Sequence, residues 1–222
     1  MAPTATIRRV LGSPAGLASL FLVEHRDVLS VIDTGSSGAL TRIRKALGEV
    51  GRRPDDVKQI VLTHCHGDHA GEAKRLAELC DAAVVAGAAD ADVIQGTGPY
   101  PAPTDPLSRA VYRRYERFPR LPVTRRIEGE EELEGGLVAI PTPGHTLGHI
   151  AVLAPDASAV FVGDAVWHLG PLRPSWKRFT VDPEANAESV RRLAALGAER
   201  AMIAHGPSVS GERLKELAGR AR

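Results

Sequence analysis

The stretch Thr63-His64-Cys65-His66-Gly67-Asp68-His69-Ala70-Gly71 constrains the fold more than any other part of this chain. Three imidazoles and a carboxylate fall within six positions, directly after the apolar run Ile60-Val61-Leu62. A strand that ends in a turn gathers such groups at one point in space, where they bind a divalent transition metal. Histidines also stand in turns for local hydrogen bonds, so one cluster is only a hint. The layout recurs, however. Pro143-Gly144-His145 follows an apolar run from Leu137 to Ile140, Gly163-Asp164 follows Ala159 to Val162, and His205-Gly206 follows Ala201 to Ala204. Each time a buried-type strand leads to a metal-type ligand with a glycine beside it. A metal site assembled at strand ends produces that pattern, and scattered polar residues do not.

The 222 residues are most economically one domain, 1–222, long enough to bury a substantial core. Lys plus Arg number 28 against 27 Asp plus Glu, a net charge of +1. That balance gives no reason to expect nucleic acid or an acidic membrane surface as a partner. Two cysteines, Cys65 and Cys80, are too few for a disulfide scaffold and fit a reducing compartment. Met1 to Val10 lacks the apolar core of a secretory signal, and no apolar stretch reaches membrane-spanning length. A cytoplasmic protein with no membrane contact is the expectation. Oligomeric state has no signature in the sequence.

Apolar runs predict strands at Leu17–Val23 and Val28–Ile32, joined by a turn at Glu24–Asp27. Ser36 or Ser37 is expected to cap a helix running to about Val50. Val57–Leu62 reads as a strand, Ala70–Cys80 as a helix, Ala82–Ala86 as a strand and Ala88–Ile94 as a helix. Gly96–Pro106 is rich in turn formers, and Leu107–Phe118 has helical spacing. Further strands fall near Val123–Ile127, Leu137–Ile140, Ile150–Leu153 and Ala159–Val162. A helix over Pro183–Leu196, a strand over Ala201–Ala204 and a helix capped by Ser210 complete the chain. Two strand-rich halves, each joined to helices, suggest an α/β fold of four layers, an αββα sandwich.

These residues resemble the metallo-β-lactamase fold superfamily, nearly end to end, from Val31-Ile32-Asp33-Thr34-Gly35 to His205-Gly206. The His-x-His-x-Asp-His motif carries the resemblance, and every downstream partner follows in order. It implies that His64, His66 and His145 hold one metal, that Asp68, His69 and His205 hold a second, and that Asp164 bridges them. Asp33 would sit behind, orienting the ligand loop. The expected cofactor is two Zn²⁺ per chain, with manganese or iron accepting the same donors. Two ions roughly 3.5–4 Å apart share a hydroxide that attacks a carbonyl or phosphoryl group. Asp68 is expected to relay a proton as well.

The departures narrow the expected function. True β-lactamases of this fold carry Cys or Ser where this chain has Asp164. Glyoxalase-II-like thioesterases add a C-terminal helical domain that this chain is too short after His205 to supply. Quorum-quenching lactonases place a tyrosine between the bridging Asp and the last His, and none lies between Asp164 and His205. The reading is a dinuclear zinc hydrolase of a small ester, thioester or lactone. The alternatives are a phosphodiesterase or nuclease of the same fold, or a mononuclear iron protein akin to sulfur dioxygenases. His149, Trp167 and His168 either line the substrate pocket or serve as structural residues of the adjoining loops, and His25 reads as a surface turn residue. Seven arginines between Arg109 and Arg126 face the single acid Glu116. They form a solvated helix face or a cationic lid suited to an anionic small-molecule substrate. Cys65, among the ligands, is expected to pack and not to act as a nucleophile.

Overall fold

The computed structural model describes residues 5–13, 18–101, 106, 109 and 117–221. The chain opens with an antiparallel meander of β1 (Thr6–Leu11), β2 (Ser19–His25) and β3 (Val28–Ile32). Helix α1 (Leu40–Glu49) then carries it to β4 (Val57–Leu62), and α2 (Ala73–Ala77) to β5 (Ala83–Gly87). After α3 (Ala88–Gln95), β6 (Arg125–Ile127) completes the first sheet in the order β1-β2-β3-β4-β5-β6, parallel from β3 onward.

The second sheet begins with β7 (Glu131–Glu132), β8 (Val138–Pro141), β9 (Ile150–Ala154) and β10 (Ala159–Phe161), all antiparallel neighbours. A small hairpin of β11 (Val166–Trp167) and β12 (Arg173–Pro174) follows, then α4 (Pro183–Ala195). That helical crossover lets β13 (Arg200–Met202) pair parallel with β10. β14 (Val209–Ser210) and α5 (Gly211–Arg220) end the fold.

Strand alternation explains the layering, because successive side chains point to opposite faces. In β2, Leu20 and Leu22 join an outer core with Ile43 and Leu47 of α1 and Leu76 of α2. Phe21 and Val23 enter a second core between the sheets, where Phe21 meets Phe161 edge to face at 5.0 Å. On the far side Ala151 and Val160 pack beneath Val190 and Leu193 of α4 and Leu214 of α5. The result is the four-layer αββα sandwich.

Several local expectations need correction. β1 was not foreseen: only Val10 of its six residues is buried, so Thr6–Leu11 shows no apolar stripe. Ser36 and Ser37 do not cap α1; the helix starts at Leu40, and the residue at its cap, Ala39, offers no side-chain acceptor. The helix expected over Ala70–Cys80 contracts to Ala73–Ala77, since Ala70 instead bridges to Gly35 beside the histidine loop. His25 is buried, not on the surface, and pairs with Asp156 and with the Gly135 carbonyl. Ser210 caps α5 as expected, and Asp182, not named from the sequence, caps α4. Among the described residues no helix is long and apolar enough to cross a membrane.

The helix expected over Leu107–Phe118, and with it Arg113 and Arg114 of the cationic lid, lies outside the described residues except at Arg109, Arg117 and Phe118. Three later arginines of the run are held by the chain itself. Arg120 donates to the Val93 carbonyl (2.9 Å) and lies over the Phe118 ring. Arg125 pairs with Glu131, and Arg126 with Asp92 at 2.8 Å.

Candidate metal centre

Four loops leave strand ends on one rim of the sandwich. The loop after β4 delivers His64, His66, Asp68 and His69. The loop after β8 delivers His145, that after β10 Asp164, and that after β13 His205. The rim is stitched across the two sheets, since the Ile150 N–H of β9 donates to the Thr63 carbonyl beyond β4 (2.8 Å).

The side chains converge as two donor groups, His64, His66, His145 and Asp164 in one, Asp68, His69 and His205 in the other. In the first, His64 Nε2 and His145 Nε2 each lie 2.9 Å from His66 Nδ1. In the second, His69 Nε2 and His205 Nε2 are 3.3 Å apart, and Asp68 Oδ2 is 3.4 Å from the latter. Asp164 touches both. Its Oδ1 is 3.2 Å from His69 Nε2, and its Oδ2 is 3.2 Å from His205 Nε2 and 3.4 Å from His145 Nε2.

The electrostatics suit cation binding. Burial pushes His64 and His145 well below the ordinary imidazole range and His66 down to about 4, so these rings are neutral and carry ligating lone pairs. Ring nitrogens packed against ring nitrogens satisfy one another poorly, whereas a shared cation satisfies all of them. In the second group burial opposes charge on His205, but Asp164 and Asp68 outweigh it and raise the ring to about 10. Burial likewise works against the charged form of Asp164, yet His205 and His69 hold that carboxyl well below its usual range. One buried carboxylate, Asp164, and one half-buried, Asp68, thus already draw positive charge to this point. The donors, imidazole nitrogen and carboxylate oxygen, are those that zinc, iron and manganese accept.

Behind the ligands stands a layer of short polar side chains. Asp33 accepts from the Thr63 N–H (2.8 Å) and the Thr63 hydroxyl, and holds His69 Nδ1 at 2.8 Å. Asp33 does so from a left-handed backbone conformation, φ 59°, which costs a non-glycine residue about 1–3 kcal/mol and persists only where the surroundings enforce it. Ser175 Oγ meets His145 Nδ1 at 2.9 Å.

His149 does not line a pocket. It is buried behind Asp164, its Nδ1 shared with the Thr142 hydroxyl (2.8 Å) and its Nε2 accepting the Asp164 N–H (3.0 Å). Burial holds it at about 4. Gly163 makes that contact possible, because a Cβ there would come within 2.5 Å of His149 Nε2, at φ 50°. His168 is a brace for the last ligand loop: its N–H donates to the His205 carbonyl and its Nδ1 lies 2.8 Å from the Pro207 carbonyl. Trp167 lies with its ring 5.1 Å from His205 and 6.2 Å from His145, while the His149 ring stands 5.4 Å from His64. Phe179 stacks on it, and Trp176 packs against it at a tilt of 46°. Cys65 is fully buried, with its thiol pushed well up by burial, so it packs as expected.

Sequence reasoning missed Ser175, Thr142, Thr63 and the buried Asp90, whose carboxyl is pushed up by burial against three donors. They are short polar residues with no diagnostic spacing.

The sequence profile of the metallo-beta-lactamase superfamily matches residues 14–205. A probable metallo-hydrolase of Bacillus subtilis, YflN, is 32% identical over 192 residues, 74% of this chain and 71% of that protein. A hydroxyacylglutathione hydrolase of Hyphomonas neptunium is 35% identical over 153 residues, 68% of this chain and 48% of that one. The chain spans about half the length of that relative. Among solved structures, a protein named TTHA1623, in a di-iron-bound form, matches with a TM-score of 0.71 at 26% identity over all of this chain and 98% of its own. An archaeal superfamily protein from Sulfolobus tokodaii reaches 0.74 at 22% identity over 96% and 85%.

Proposed function

Because the chain belongs to the metallo-beta-lactamase superfamily, we propose that it is a metal-dependent hydrolase of a small acyl substrate, a thioester ahead of an ester or lactone. The observation that carries the reading is Asp164, one carboxylate reaching both donor groups, which suits it to hold two ions side by side. The preference for a thioester is supported by the hydroxyacylglutathione hydrolases among the relatives.

His64, His66 and His145 would hold one ion, Asp68, His69 and His205 the other, and Asp164 both. A bound pair of such ions acidifies water toward a pKa of ~7 and polarises a carbonyl oxygen. The chain's own part is orientation and proton handling. Asp33 and Ser175 fix the ring nitrogens of His69 and His145 that face away from the ligand groups. Asp68 is the more open of the two site carboxylates, with one oxygen turned to His205. It takes the proton released during hydrolysis and returns it to the leaving group. Trp167 walls the site against bulk water beside His205.

The test joins elemental analysis of the purified protein to a panel of thioesters, esters, lactones and phosphodiesters. Two metal ions per chain with turnover of acyl substrates support the reading. Turnover confined to phosphodiesters, or none after full metal loading, overturns it. Zinc is the metal we favour on donor chemistry. Iron is the second reading, supported by the di-iron form of TTHA1623.

A further inference from the structure

We propose that Asp90 is a positioning residue that sets the spacing of His64, His66 and His145 by tying their two loops to each other. The inference rests on the metal-binding reading of that ligand group. Asp90 lies in the first turn of α3, on neither ligand loop, and is 1% exposed. Its Oδ2 accepts the Cys65 N–H at 2.9 Å and the Thr146 hydroxyl at 2.7 Å. Its Oδ1 accepts the Gly148 N–H at 2.9 Å. Cys65 stands between His64 and His66, and Thr146 directly follows His145. One carboxylate therefore holds the backbone beside three ligands that come from different sheets.

The contact is built for closeness. A Cβ on Gly148 would sit 2.2 Å from the Asp90 backbone nitrogen, so only glycine lets the His145 loop come down onto α3. The two N–H groups that Asp90 accepts point out of loops, where a buried donor needs such a partner. A neutral amide cannot replace it: asparagine keeps one acceptor oxygen where Asp90 uses two, and its NH₂ would face an N–H. In the other group it is Asp33 that braces His69. Asp90 should therefore matter to one ion and not to the other.

Zinc affinity, read by chelator competition, tests this. In a His205→Ala background the ion that remains reports on the His64, His66 and His145 group, and in a His145→Ala background it reports on the other. Asp90→Asn should weaken zinc about 10–100-fold in the first background and leave the second within about threefold. Thr146→Val, a milder cut at the same joint, should show the same selectivity at smaller size. It keeps the test alive should Asp90→Asn fail to fold. Equal losses in both backgrounds, or no loss in the first, would overturn the proposal. Failure of the parent reading is distinguishable, since it shows as wild-type protein that binds no zinc, and it overturns the inference with it.

Discussion

At the scale of the residue, the centre depends on protons that are kept off some rings and held on others. His66 and His149 are both held at about 4, against an unfolded value of ~6.5. Between those pH values the unfolded chain binds more protons than the folded one, so stability falls as pH falls. The contribution of these two rings is complete above about pH 6.5 and is lost toward pH 4, at most ~3 kcal/mol for each. His205, held up at about 10, runs the other way: its share is complete below about 6.5 and disappears as pH rises through 10. Urea melts of chelator-treated protein should therefore show a clearly lower midpoint at pH 4.5 than at pH 7. A midpoint that did not move would contradict the burial of these neutral rings. Asp33 gives a second prediction. Asp33→Asn keeps the shape and tolerates the left-handed backbone but loses the charge facing His69. Zinc affinity should fall about 10–100-fold, as measured by competition with a chelator.

At the scale of the element, α4 is set by its cap. Asp182 accepts the N–H groups of Glu184 and Ala185, and Pro183 opens the first turn. Asp182→Ala should cost about 1 kcal/mol in a denaturant melt. Hydrolysis at 25 °C should stay within about twofold, because no ligand sits on that helix. The cap of α5 was legible in the sequence and that of α4 was not read, while Val28–Ile32 and Val57–Leu62 match their strands residue for residue. Strong local signals, a serine before a helix or an uninterrupted apolar run, survive folding. What was illegible depends on partners far along the chain. β1 is a strand because β2 offers it a full antiparallel ladder, although Arg8 and Arg9 break its own pattern. The convergence of the histidines and Asp164 was legible because each of their loops follows an apolar run. Their supports were not, because Asp90, Ser175 and Thr142 gain meaning only once loops more than twenty residues apart, or a strand end and a histidine, meet in space.

At the scale of the whole molecule, three cores hold four layers, and the middle one is filled from both sheets. Phe161 fills it from the second sheet against Phe21 of the first. Phe161→Ala should cost about 3–5 kcal/mol, seen as a drop in unfolding free energy, because a cavity between two rigid sheets collapses poorly. Metal binding adds to the same account from the outside. If the sites bind the folded chain alone, free zinc at 100 times its dissociation constant should stabilise each site by about 2.7 kcal/mol, read as a rise in melting temperature.

The ligand-bearing loops belong to both sheets and meet on a single rim. The sandwich therefore resembles a book fastened along one edge, with the proposed ions as the clasp. Stripping them should not soften the pages evenly. Amide exchange ought to quicken first among residues 63–70 and 142–149, while the far edge, where β9 turns into β10, keeps its original pace. The fastening that makes the chemistry available would then also decide where the molecule first comes ajar.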